Sequence, residues 1–344
     1  MTSFILLLCC LFLNVTGSNN VYDLQGKTYR ISDGDVSMLD GREIKNGKFV
    51  ISEGDYFLQV KNEKGACLIV GDNIELIIDG TLQLSPNGFK SYDMIRVVGR
   101  NVTIHGKGKI IGDRFKHLGS EGQWGMGINL KGVKDVTIKD ITIRECWGDC
   151  IYIGGNSSSV RIENCILDNS RRQGVSITKA DGVTITNCTI SNIHGTNPQY
   201  AIDVEPNEKC TVDHVLINNI DIVNCEGGIR ATVPNKGIGN AKIGRVEILN
   251  SRVTANTRYP IHLNRCQQGI VERCTIEGSN EKSHIYANYI DDLKVSDNTL
   301  NVKVQLLSSV VNKAKEMVGK AAYSTIRVVH TSARKIENNK VIEK

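Results

Sequence analysis

Apolar and polar positions alternate in short runs along most of this chain, and the runs return in register every 23 to 32 residues. Copies read VTIKDITI at 136–143, VRIENCIL at 160–167, VTITNCTI at 183–190 and VLINNIDI at 215–222. VEILNSRV at 246–253, IVERCTIE at 270–277 and LKVSDNTL at 293–300 continue the series. Alternation with period two, carried by Val, Ile and Thr, predicts strands rather than helices. Leu is too sparse for a leucine-rich horseshoe. A repeat near 24 residues holds three short strands and three turns. The pattern therefore predicts an all-β chain folded as a right-handed parallel β-helix, a single-stranded β-solenoid with three strands per rung. Its rungs stack ~4.8 Å apart.

Aligned copies place Asp140, Asn164, Asn187, Asn219, Asn250, Arg273 and Asp297 in one column. Asn bonds its own backbone and tolerates left-handed φ, so this column reads as a recurrent turn. The next column contains Cys165, Cys188 and Cys274. Inward Cys packs as a small hydrophobe, so Cys165 and Cys188 are expected inside a second sheet.

A second phrase precedes each of these. It reads WGMGINLK at 124–131, WGDCIYIG at 147–154, RRQGVSIT at 171–178, QYAIDVE at 199–205, EGGIRAT at 226–232, RYPIHLN at 258–264 and SHIYAN at 283–288. Its inward residues are Ile128, Ile151, Val175, Ile202, Ile229, Ile261 and Ile285. The positions after them face outward: Asn129, Tyr152, Ser176, Asp203, Arg230, His262 and Tyr286. Two residues on come Lys131, Gly154, Thr178, Glu205, Thr232, Asn264 and Asn288. A plain structural face would be mostly Thr, Ser and Lys, whereas this one carries Asp, Arg, His and Tyr on adjacent rungs. Asp203 and Arg230 are expected as cross-strand neighbours. Asp203 and Glu205, both expected to face solvent, lie ~6.6 Å apart along the backbone. Asp149 stands at the edge of the strip.

Paired carboxylates with a flanking Arg suit general acid/base work on a glycosidic bond. The candidate catalytic residues are therefore Asp149, Asp203, Glu205 and Arg230. Aromatic faces suit sugar rings and Arg forks suit uronic carboxylates. Trp147, Tyr152, Arg171, Arg172, Gln173, His262, Asn264 and Tyr286 are the candidate substrate-binding residues. Each also has a plain structural reading as a surface ion pair, a turn cap or a solvated side chain; their convergence on one strip favours function. Longer loops near 200, 230 and 255 are expected to wall the strip into a groove.

Composition narrows the setting. Residues 4–13 form an apolar run followed by Thr16, Gly17 and Ser18, which reads as a secretory signal peptide ending near residue 18. Residues 19–344 are then one domain: an entry cap over 19–66, regular rungs over 67–300, and a helix plus last partial rung over 301–344. The helix is expected at 306–319, where apolar residues switch to helical spacing. Nine cysteines lie beyond the leader, and most of them are expected to be free and buried rather than paired. The net charge of +5 is concentrated in the last 44 residues, which net +6, so the solenoid offers no basic nucleic-acid groove. The expected partner is a polysaccharide or oligosaccharide. No nucleic acid and no integral membrane segment after leader cleavage are expected, and the chain reads as a monomer. It requires no cofactor, with Ca²⁺ an option for the carboxylates. The expected location is secreted: periplasmic, extracellular or cell-surface.

WGDCIYIGG, RRQGVSIT and AIDVEPN, with NVTIHGKGKIIGD ahead of them, resemble the bacterial secreted right-handed parallel β-helix repeat proteins of the pectate-lyase-like superfamily. The resemblance covers roughly residues 70–300. It implies the fold and a choice among lyases, hydrolases, epimerases and phage tailspikes. Polygalacturonase-like hydrolases place an Asp pair in a Gly-Asp-Asp turn and a Gly-His-Gly turn on the next rung. Here Asp149 alone matches the pair, and Arg172-Gln173-Gly174 stands at the next turn. Pectate lyases pair an Arg base with calcium-binding carboxylates, an arrangement that Asp203, Glu205 and Arg230 could imitate. Three readings follow: a glycoside hydrolase using paired carboxylates, a polysaccharide lyase using Arg230 or His262 as base, or a non-catalytic glycan-binding scaffold.

Overall fold

The computed structural model describes residues 21–32, 41–233, 240–279, 282–302 and 325–343. The leader at 1–18 and the helix expected at 306–319 lie outside the described residues. Three parallel sheets of 12, 12 and 11 strands run the length of a right-handed β-helix, and among the described residues every rung but the first gives one strand to each sheet. Ile151, Val175, Ile202 and Ile229 pair in register across the first sheet, as the repeat requires. These four side chains are fully buried, and the core runs unbroken from Leu24 to Leu300.

The helix is longer than the repeat pattern indicates. Strands Val21–Asp23, Arg42–Lys45 and Gly47–Ile51 already belong to the sheets, so the expected entry cap is a run of ordinary strands. At the other end Ile326–Val329, Ala333–Glu337 and Lys340–Glu343 complete a full turn rather than a partial one. Asn338 takes φ of 55° at the corner between the last two of these strands, so it continues the Asn column into this rung.

The Asn column forms the turn between the second and third sheets. Asn164, Asn187 and Asn219 have φ of 55° and Asn250 has φ of 50°, a left-handed conformation that Asn accepts at low cost. Neighbouring members are stitched by side-chain amides: Asn164 Nδ2 donates to Asp140 Oδ1 at 2.9 Å, and Asn219 Nδ2 to Asn187 Oδ1 at 2.8 Å. Cys165 and Cys188 sit directly after this turn rather than within a strand, and Cys165 N donates to Cys188 Sγ at 3.4 Å. A further ladder closes the corner between the third sheet and the first. Asn169, Asn192 and Asn224 take φ of 60°, 57° and 53°, and Asn224 Nδ2 donates to Asn192 Oδ1 at 2.7 Å. All nine described cysteines are free, and all but Cys210 are buried.

Candidate functional site

The outward column is continuous. Register pairs Arg96, Asn129, Tyr152, Ser176, Asp203, Arg230, His262, Tyr286 and Arg327 along the first sheet. Facing out does not mean being exposed, however. Asp203 is 2% and Ser176 3% accessible, because Arg172, Gln173 and the segment after Val204 cover them. The expectation that Asp203 points to solvent is therefore corrected: its direction is outward but its surroundings are closed. Asp149, at the start of its strand, is wholly buried.

One hydrogen-bonded chain links the polar groups of four rungs. Arg172 Nη1 donates to Asp149 Oδ1 at 3.2 Å and to Oδ2 at 2.9 Å. Ser176 Oγ donates to Asp149 Oδ2 at 2.6 Å. The Gln173 carbonyl oxygen accepts from Arg172, and its amide nitrogen donates to Asp203 Oδ2. Arg230 then forks Glu205, with Nη2 to Oε1 at 2.9 Å and Nη1 to Oε2 at 3.3 Å, while Nη1 reaches Asp203 Oδ2 at 3.5 Å. Asp203 Oδ1 is buried without a hydrogen-bond partner.

Burial pushes the Asp203 carboxyl up to about 7 against the pull of Arg230, and the neighbouring carboxylates Glu205 and Asp149 add to the rise. Burial also raises Asp149, opposed by Arg172 and by the Ser176 hydroxyl. For Arg230 burial acts downward, but Asp203 and Glu205 outweigh it and hold the guanidinium above its ordinary value. Arg172, Gln173, Ser176, Asp203 and Glu205 line a pocket of 190 Å³ with Thr178, Pro206, Asn207 and Glu208, while Asp149 and Arg230 stand behind its wall.

The remaining candidates divide. Arg172 and Gln173 belong to the network, and Tyr152 lies on the strand of Asp149 with its hydroxyl on Thr178 Oγ1 at 2.8 Å. That contact needs Gly154: a Cβ there would meet Thr178 Oγ1 at 2.7 Å and the Tyr152 ring at 2.8 Å. His262 and Tyr286 lie beyond Arg230 and pack with Tyr259 at centroid distances of 5.0 Å each, as an aromatic shelf. Burial, with help from Arg230, pushes His262 down to about 4. Asn264 follows the same edge; its Nδ2 donates to Val233 O at 3.3 Å and its Oδ1 is buried without a partner. Trp147 and Arg171 do not line the pocket. Trp147 is 8% accessible, with His117 stacked on it at 4.0 Å and the Arg171 guanidinium 3.6 Å from its ring. Their visible role is packing, which corrects the expectation of sugar contact.

Sequence reasoning gave Ser176 no role, although its place in the outward column marked it. It also missed the group behind Trp147. There Asp113 accepts from Tyr92 Oη, from Asn87 Nδ2 at 2.9 Å, and bonds His117 Nδ1 at 2.8 Å. These residues come from separate turns with no shared motif. Arg230 holds Glu205 through both oxygens and reaches one oxygen of Asp203, so these three residues form an ion-pair cluster. Among the described residues, no group of three or more His, Cys, Asp or Glu is placed to hold a metal ion.

A continuous parallel β-helix with a covered carboxylate network on its first sheet defines the class. The chain belongs to the right handed beta helix region family, whose model matches residues 126–343. It is 31% identical over 187 residues to the SPbeta prophage-derived uncharacterized protein YorA of Bacillus subtilis (strain 168), covering 47% of this chain. It is also 31% identical over 196 residues, 50% of this chain, to the uncharacterized protein YclG of the same organism. The matches cover 32% and 33% of those relatives, so the chain spans about a third of their length. Among solved structures, pectate lyase Pel9A matches with a TM-score of 0.53 at 9% identity, over 92% of this chain and 80% of that one. The tailspike protein gp49 of Acinetobacter baumannii bacteriophage Fri1, a capsular polysaccharide depolymerase, matches with a TM-score of 0.52 at 13% identity, over 96% and 64%. At such identities the likeness is one of fold.

Proposed function

We propose that this protein is a secreted carbohydrate-active enzyme that cleaves an extracellular polysaccharide by hydrolysis, with Asp203 as proton donor and Asp149 as its charged partner. The observation that carries the reading is the state of Asp203. Its carboxyl titrates at about 7 inside a polar network, and one of its oxygens has no partner. Both contacts at Oδ2 come from donors, Gln173 and Arg230, so a proton on Asp203 belongs on Oδ1. A carboxylic acid that keeps its proton near neutral pH can deliver it to a glycosidic oxygen. Asp149 differs in its partners: Arg172 and Ser176 place donors on both its oxygens and oppose the rise that burial imposes, and as a carboxylate it would activate water or meet positive charge at the anomeric carbon. Glu205 is tied to Arg230 through both oxygens and serves to hold that Arg in place. Substrate reaches Asp203 only when Arg172 or Arg230 swings aside, and either guanidinium would then meet an anionic sugar substituent.

Cleavage by elimination with Arg230 as base fits less well, because its carboxylate neighbours hold it protonated. Extracellular action accords with the apolar leader-like run at 4–13 and with the depolymerase named among the structures of like fold. No helix among the described residues is long and apolar enough to cross a membrane. The deciding experiment incubates the purified protein with a panel of acidic and neutral polysaccharides, with and without chelator, and measures new reducing ends and unsaturated products. Reducing ends alone, lost in Asp203→Asn, support the proposal. Unsaturated products establish a lyase, and binding without turnover establishes a scaffold.

A further inference from the structure

A second groove, of 340 Å³, opens on the N-terminal side of the carboxylate network. Its lining includes Trp124, Asn129, Lys131, Asp93 and Tyr152. It shares Arg172, Thr178 and Asn207 with the pocket at Asp203, so one extended molecule can occupy both. Asn129 lies three rungs from Asp203 in the same column, roughly 14 Å at the spacing of stacked strands.

Three features make this a built site rather than a surface crease. Trp124 is 47% accessible, and it is the exposed one of the two tryptophans, since Trp147 is enclosed by His117 and Arg171. Asp93 is buried, and its carboxylate is held by Arg96 Nε at 2.5 Å and Asn129 Nδ2 at 2.9 Å. That bond fixes the Asn129 amide and leaves its Oδ1 buried with no partner. A buried amide oxygen without a donor costs stability unless something arrives to donate. A ligand suited to both residues would donate a hydroxyl to that oxygen and present a flat apolar face to the indole. A pyranose ring offers both.

We propose that this groove is a saccharide subsite, with Trp124 stacking on a pyranose ring and Asn129 Oδ1 accepting from one of its hydroxyls. The inference rests on the carbohydrate reading of Asp203 and extends it. With the Tyr259–His262–Tyr286 shelf on the C-terminal side and Trp124 on the N-terminal side, the centre lies between two binding regions. The protein then engages the interior of a long chain rather than its end.

The test titrates the intact protein with hexasaccharides of galacturonan, alginate, hyaluronan, xylan and cellulose, followed by tryptophan emission and calorimetry, and compares trisaccharides of whichever binds. The hexasaccharide should bind more tightly than the trisaccharide and change the emission. Trp124→Ala should lower that preference on the order of tenfold and remove the emission change, and Asn129→Ala should lower the preference in the same direction. Each variant's melting curve establishes that it is folded. A hexasaccharide that binds wild type and Trp124→Ala equally overturns the subsite and leaves the Asp203 proposal standing. If no member of the panel binds wild type, the subsite fails together with the carbohydrate reading. Loss of turnover in Asp203→Asn with hexasaccharide preference intact separates the two roles.

Discussion

Asp203 faces out of its sheet and is nevertheless enclosed, and that combination sets its chemistry. A free Asp titrates near ~3.9. In the folded protein the value is about 7, because burial disfavours the charge more than Arg230 restores it. The native state thus holds this proton more tightly than the unfolded chain does. The stability contributed by the protonated form is complete below pH ~4 and is lost as pH rises through about 7. Asp203→Asn removes the titration while keeping the shape. Its melting temperature relative to wild type should therefore rise between pH 5 and pH 8, as differential scanning calorimetry would record; a flat or falling difference would sink the assignment. The same substitution should lower turnover by about 10²–10⁴, with the wild-type rate declining above pH 7 as the acid is lost. Sequence placed Asp203, Glu205 and Arg230 together because register follows from period-two alternation. It could not show that Gln173 and Arg172 fold over the carboxyls, since Arg172 stands in the corner before the strand and Gln173 is only its first residue.

At the scale of the element, the corner turns explain why the strands keep register. Asn187 accepts from Asn219 at 2.8 Å and holds φ of 55°. Asn187→Ala loses the side-chain bond and places an ordinary residue in left-handed backbone, a combined cost of about 1–3 kcal/mol. Asn187→Gly loses the bond but accepts the backbone, so its melting temperature should lie between those of wild type and the Ala variant. If Ala and Gly melt together, the backbone term is absent and the turn is held by the side-chain ladder alone. The first Asn column was legible because its residues recur beside a strong strand pattern. The second, through Asn169, Asn192 and Asn224, was not, because the strands before it are only three to five residues long and give little pattern to align.

Across the whole molecule, the core is a single column of stacked side chains, so the buried cysteines are shielded by the rungs on either side. In the native protein only Cys210 among the described cysteines is partly accessible. Brief alkylation of folded protein should label Cys210, and unfolding without reductant should expose the other eight as free thiols in a mass spectrum. Failure of those eight to label after unfolding would show that they are paired. The rung holding Ile336, Val341 and Ile342 should exchange its amide hydrogens before the central rungs, since these three side chains are 42–44% accessible. The amino-acid sequence alone determined the solenoid, the inward and outward columns and the neighbours across rungs, because all three follow from a local period repeated many times. Only the tertiary structure decided that Asp203 is buried and protonatable, that Trp147 is packed away, and that Trp124 stands open beside Asn129. Those outcomes depend on which corner residues fold across the sheet, and residues from separate turns meet there without leaving any period in the sequence.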